Sequence, residues 1–107
     1  MLKVTEQLLT EIIDRLVEAL HPQEIYVFRS QASGRTHQHS DLDLFLVVDD
    51  DAGDLHELAG QGYLALPVTS LSVDLVLYRR RSVQKWAPVK FSLPYEVKKK
   101  GKLIYAA

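Results

Sequence analysis

Eight residues, Asp41-Leu42-Asp43-Leu44-Phe45-Leu46-Val47-Val48, constrain this chain more than any others, because every position is apolar except two acids set one residue apart. Alternation along a strand puts Leu42, Leu44, Leu46 and Val48 on one face and Asp41, Asp43, Phe45 and Val47 on the other. Both faces need covering, as in a central strand of an α/β sheet with layers on each side. The two acids then share one face at the leading end, where the strand opens to solvent. Asp is depleted in strands, and neighbouring carboxylates repel unless something positive sits between them. A divalent, oxygen-binding cation is the simplest remedy.

A second strand-like run, Leu71-Ser72-Val73-Asp74-Leu75-Val76-Leu77-Tyr78, carries a third acid in its middle. A lone carboxylate in such a run is expensive. Sequential strands usually neighbour each other, so Asp74 is expected to face Asp41 and Asp43. Three converging carboxylates would make a metal site.

The rest of the chain reads as one domain, residues 1–107, since its length supports a single core and no second one. Thr5 caps a predicted helix whose apolar positions Leu8, Leu9, Ile12, Ile13, Leu16, Val17 and Leu20 form one stripe, ended by His21-Pro22. Residues 25–28 are a short β-branched and aromatic strand. Ser30, Ala32, Ser33 and Gly34 follow in a turn small enough for backbone amides to approach an anion. Asp49-Asp50-Asp51 reads as a solvated turn before a helix beginning near Asp54. That helix is expected to be short or broken, because Gly60 and Gly62 weaken it and Pro67 stops it. Beyond Arg79-Arg80-Arg81 come helices near 82–86 and 94–100, the second stopped by Gly101, and an edge strand at 103–105.

Composition narrows the partners. Thirteen basic and fourteen acidic residues leave a formal charge of −1, which disfavours direct nucleic-acid binding by the domain as a whole. The lack of cysteine removes disulfides, zinc-thiolate sites and thiol nucleophiles. The opening residues lack the pattern of a signal peptide, and no apolar run nears the roughly 20 residues that span a bilayer, so a soluble, cytoplasmic protein is expected. His37 and His39 stand beside Asp41 but lack a second His pair at ligand spacing, and read as an exposed loop rather than a hydrolase metal site. The basic runs at 79–81 and 98–100 read as solvated faces, with contact to a triphosphate or an acidic partner as their functional reading.

Three acids beside a phosphate-sized turn suit nucleotidyl transfer from a triphosphate. Two magnesium ions about 4 Å apart would neutralise the phosphates and align an acceptor hydroxyl, with carboxylates bridging the ions and the turn cradling the trailing phosphates. Ser30-x-Ala32-x-Gly34, Ser40-Asp41-Leu42-Asp43-Leu44 and Val73-Asp74-Leu75-Val76 together resemble the signature of polymerase-β-like nucleotidyltransferases, in particular the minimal nucleotidyltransferases of bacteria and archaea. The resemblance extends from the leading helix to Lys100-Gly101-Lys102-Leu103-Ile104-Tyr105.

It implies an α/β (α+β) nucleotidyltransferase fold with a small mixed sheet of about four strands and helices packed on it. It also implies magnesium, and ATP as substrate. Asp41, Asp43 and Asp74 would be the catalytic, metal-binding carboxylates, with Ser30, Gly34 and Arg29 at the phosphates. Such minimal domains resemble the antitoxin of a two-gene pair whose toxin is a helical HEPN-domain RNase, and the better understood members add AMP to a tyrosine of that partner. One departure stands out: Arg29 occupies the position of a family Gly. Its Cβ would obstruct the close backbone approach, or its guanidinium would itself hold phosphate. The obstructed case predicts a binding module that neutralises its partner by docking. Ser33 likewise replaces a frequent Arg. Transfer to a small molecule is less expected, because enclosing that acceptor would take a second domain or a homodimer.

Overall fold

The computed structural model of the chain describes residues 5–28, 41–69 and 71–107. Among them four helices and four strands follow the order α1 (Glu6–Leu20), β1 (Glu24–Phe28), β2 (Leu42–Val48), α2 (Leu55–Ala65), β3 (Val73–Arg79), α3 (Arg80–Trp86), α4 (Leu93–Lys100) and β4 (Lys102–Ala106). The strands form one mixed sheet in the order β3-β2-β1-β4, with β2 and β3 parallel and the other two pairings antiparallel. This is the α+β arrangement expected, and β2 is central in it.

All seven residues of β2 are buried, because each of its faces is covered. On one face Leu42, Leu44 and Leu46 join Ile25 and Leu75 under Ile12, Leu16 and Leu20 of α1. On the other, Phe45 and Val47 join Tyr26 beneath Val83 of α3 and Val97 of α4, with the ring of Phe45 stacked 5.0 Å from that of Tyr78. The stripe on α1 therefore does what its spacing promised. Thr5 caps that helix by accepting from the Leu8 amide, and His21 closes it in the left-handed conformation with φ 49°.

One expectation needs correction. Helix α2 is neither short nor broken: it runs continuously through Gly60 and Gly62 from its cap at Asp54, whose carboxylate accepts from the Glu57 amide. Gly62 lies where α2 presses on the core, and a Cβ there would stand 2.9 Å from Leu75 Cδ1 and 3.1 Å from Leu20 Cδ1. The glycine permits close packing, and that packing outweighs its poor helix propensity. Gly101 does stop α4, but with extended backbone, φ −77° and ψ 169°, so conformational freedom is not its purpose. A Cβ there would meet the Val97 carbonyl oxygen at 2.6 Å and that of Val27 at 3.1 Å.

The two charged runs tie the far end of the sheet together. The Arg79 guanidinium donates to the carbonyls of Asp50 and Gly53, and the Asp50 carboxylate accepts from the Arg81 amide. Asp49 to Asp51 are thus a turn, as expected, but one clamped by the basic run. At the end of α4, Lys100 pairs with Glu96, while Lys98 reaches Tyr26 and Glu24. Among the described residues, no helix is long and apolar enough to cross a membrane.

Candidate active site

Parallel pairing sets β2 against β3 in the register Leu42↔Val73, Asp43↔Asp74, Leu44↔Leu75. Residues opposite each other in a ladder share a face, so Asp43 and Asp74 project together from the second positions of their strands. This is the face carrying Phe45 and Val76. Asp43 is 7% exposed, the buried charged side chain among the described residues. Asp74 stands on the outer strand of the sheet and is half-buried. Two acids set this close together, one of them buried, are the kind of pair that functional sites assemble.

Asp41 has a partner of its own on the approach to β3. The strand begins at Leu42, and Asp41 stands just before it. Its Oδ2 accepts from the Ser72 amide at 3.0 Å, while its own amide donates to the Ser72 carbonyl at 2.8 Å. Asp41 thereby ties the start of β2 to the approach of β3 and lies exposed at the mouth of the pair. Among the described residues, no group of three or more His, Asp or Glu side chains is arranged to hold a metal. The structure brings together Asp43 and Asp74 as facing acids, with Asp41 beside them and its carboxylate on a backbone amide.

Tyr63, near the end of α2, completes this corner, and sequence reasoning passed over it. Its hydroxyl donates to Asp74 Oδ1 at 3.0 Å and accepts from the Leu75 amide at 2.9 Å. Burial pushes the Tyr63 phenol above its ordinary pKa of 10.0; the Asp74 hydrogen bond and the charges of Asp74 and Asp43 add to this, against the Leu75 amide. The phenol therefore stays protonated and can donate. No periodic signal marks Tyr63, since it lies on the exposed side of α2; only the adjacent Gly62 hints that the helix meets the sheet there.

Arg29, Ser30, Gly34, His37 and His39 lie outside the described residues. The basic run at 79–81 lies at the other end of the parallel pair, with Arg79 opposite Val48. Five residue steps along the strand, about 16 Å, separate Arg79 from Asp74, which removes that run from the acids.

Comparison with known proteins identifies the domain. A model of the nucleotidyltransferase domain matches residues 9–104. No curated protein matches the chain. Among solved structures, a candidate nucleotidyltransferase from Sulfolobus solfataricus is similar over 94% of this chain and 78% of its own, with a TM-score of 0.57 at 18% identity, a likeness of fold. The matched domain spans the acid pair, the helices on both faces and most of the fourth strand, and the chain belongs to the polymerase-β-like nucleotidyltransferase domain family, whose general function is nucleotidyl transfer.

Proposed function

We propose that this protein transfers AMP from ATP, with magnesium, to a hydroxyl of a partner protein in the cytoplasm, and that the partner is a HEPN-domain RNase for which the chain is the antitoxin. One observation carries the reading: Asp43 and Asp74 face each other across neighbouring parallel strands. Adjacent strands lie about 4.8 Å apart, a span over which two carboxylates can flank one small cation. Magnesium suits such a donor set, because it is usually held by one or two carboxylates together with substrate phosphates and water. Asp43 and Asp74 would hold it, with Asp41 at the mouth joining from the side. Bound there, magnesium would neutralise the charge that builds on the triphosphate as pyrophosphate departs.

The remaining work belongs to the chain. Asp43, fixed by burial in the central strand, supplies a rigid anchor. Asp74, on the outer strand, stands where an incoming hydroxyl can reach it and takes that hydroxyl's proton. The acceptor oxygen bonds to the α-phosphorus, the bond to the β-phosphate oxygen breaks, and pyrophosphate leaves. Ser30 and Gly34 are assigned to the trailing phosphates.

The test is incubation with α-labelled ATP, magnesium and the HEPN-domain partner. Label should appear on the partner and disappear in Asp43→Asn and Asp74→Asn; label that survives both changes would remove the acid pair from the reaction. A second reading, neutralisation by docking alone, is favoured by Arg29 in place of the family Gly. Arg29→Gly separates the two: a gain of transfer supports lost catalysis in the natural chain, and a fall supports Arg29 as a phosphate clamp.

A further inference from the structure

Strand β3 is the outer strand of the sheet, so its amides that point away from β2 need partners from elsewhere. The Leu75 amide finds one in the Tyr63 hydroxyl at 2.9 Å, and the same hydroxyl reaches Asp74 Oδ1 at 3.0 Å. The directions of these bonds are fixed by chemistry. An amide N–H can only donate and a carboxylate only accept, so the single phenolic proton points at Asp74. The backbone holds the oxygen still while the proton holds the carboxylate.

The two facing acids are therefore secured in different ways. Asp43 is held within the central strand of the sheet and is 7% exposed. Among the described residues no strand lies beyond Asp74, and an aspartate there would otherwise turn about two side-chain bonds. We infer that Tyr63 is a positioning residue for Asp74: by tying one carboxylate oxygen to the strand edge, it fixes the direction in which the other is presented to cation and acceptor. This rests on the proposed role of Asp74 in transfer and adds to it a residue which touches neither substrate nor metal. Partners that orient a ligating carboxylate typically matter about 10-fold or more in metal affinity or activity.

Tyr63→Phe keeps the ring and removes the hydroxyl. In the metal-free protein, the Asp74 side-chain carboxyl carbon and the Leu75 amide should both shift in the NMR spectrum, while the Asp41 carboxyl carbon stays in place. An unmoved Asp74 signal would overturn the inference. Calorimetric titration with magnesium and a non-hydrolysable ATP analogue completes the test as a double-mutant cycle. Tyr63→Phe should weaken binding about 10-fold in the natural background and have no further effect once Asp74→Ala is present. Equal losses in both backgrounds would show that Tyr63 acts on the fold and not through Asp74. Should Asp43→Asn and Asp74→Ala leave magnesium binding untouched, the transferase reading fails, and the Asp74 carboxyl signal alone decides for or against Tyr63.

Discussion

Helix α2 carries two glycines two residues apart, and the structure assigns them opposite responses to the same substitution. A Cβ built at Gly60 has nothing within 4 Å, whereas one at Gly62 stands 2.9 Å from Leu75 Cδ1, 3.1 Å from Leu20 Cδ1 and 3.5 Å from Leu16 Cδ2. Gly→Ala within a helix gains about 1 kcal/mol from propensity and from the smaller entropy of the unfolded chain. At Gly60 that gain is unopposed. Stability should rise by about 1 kcal/mol, seen as roughly 4–8 °C in Tm for a domain of this size.

At Gly62 the same gain is set against crowding. Carbon atoms rest about 3.5–4.0 Å apart, so two leucine methyl groups must retreat into a core where Leu16 is fully buried and Leu20 and Leu75 nearly so. Overpacking of this kind costs about 1–3 kcal/mol. Gly62→Ala should therefore lie between neutral and about 2 kcal/mol destabilised, leaving a gap of about 1–3 kcal/mol between the variants. Unfolded-state effects are common to both and cancel in the comparison. Urea melts with matching slopes measure that gap. If the two proteins melt together, the close approach of α2 to β3 is wrong, and with it the placement of Tyr63 beside Asp74.

Asp43→Asn should lower transfer by about 10³-fold, the worth of roughly 4 kcal/mol of charge stabilisation, while near-native melting shows that the fold survives; a smaller kinetic loss than tenfold would argue against a metal-holding role. Asp41→Ala should cost about 1 kcal/mol through loss of the Ser72 amide bond, and Asp41→Asn, which keeps an acceptor oxygen, should melt near the natural protein; equal melting of the two variants would refute the tie. Gly101→Ala should destabilise by about 2 kcal/mol or more, because the obstacles are backbone oxygens of Val97 and Val27 and not side-chain ends; unchanged thermal melting would refute it. Stability should also fall at high pH. The hydrogen bond to Tyr26, opposed by burial, raises Lys98 above 10.5, and burial raises Tyr63 above 10.0. Stability from each group is whole below the unfolded value and is lost as pH climbs through the raised folded one, so urea midpoints should hold up to pH about 9.5 and decline above it.

What the chain discloses without coordinates depends on how local the cause is. The stripe from Leu8 to Leu20 and the Thr5 cap act within one helix, and both appear where the spacing put them. The apolar run at 42–48 implied layers on both faces, and β2 is covered on both. Even Asp74 opposite Asp43 followed, because sequential strands tend to be neighbours. The misses share a different cause, a contact from a distant element. Gly62 looked like a helix breaker because nothing nearby in sequence reveals that Leu75 and Leu20 crowd it. Nor does the sequence around Asp41 reveal that the Ser72 amide takes its carboxylate. Arg79 looked solvated, yet two carbonyls of the turn after β2 hold it.

The parallel pairing of β2 and β3 ties these details to the chemistry. Two strands running the same way cannot be joined by a tight turn; the chain has to cross back to the starting end, usually through a helix, and here α2 makes that return. The return has two consequences. It sets the second residue of β3 opposite the second residue of β2, which makes Asp43 and Asp74 a facing pair. It also delivers the end of α2 to the same corner, where Tyr63 meets Asp74 and the Leu75 amide. At the opposite ends of the strands, Arg79 and the Asp50 turn bond to each other and close the sheet. Ligands of open α/β sheets commonly bind beyond the carboxyl ends of the strands, but in this chain that end is clamped and the acids gather at the amino ends. The crossover that builds the parallel pair thus also supplies the side chain that steadies its outer acid, so a change that shifts α2 along the sheet should disturb Asp74 before it disturbs Asp43.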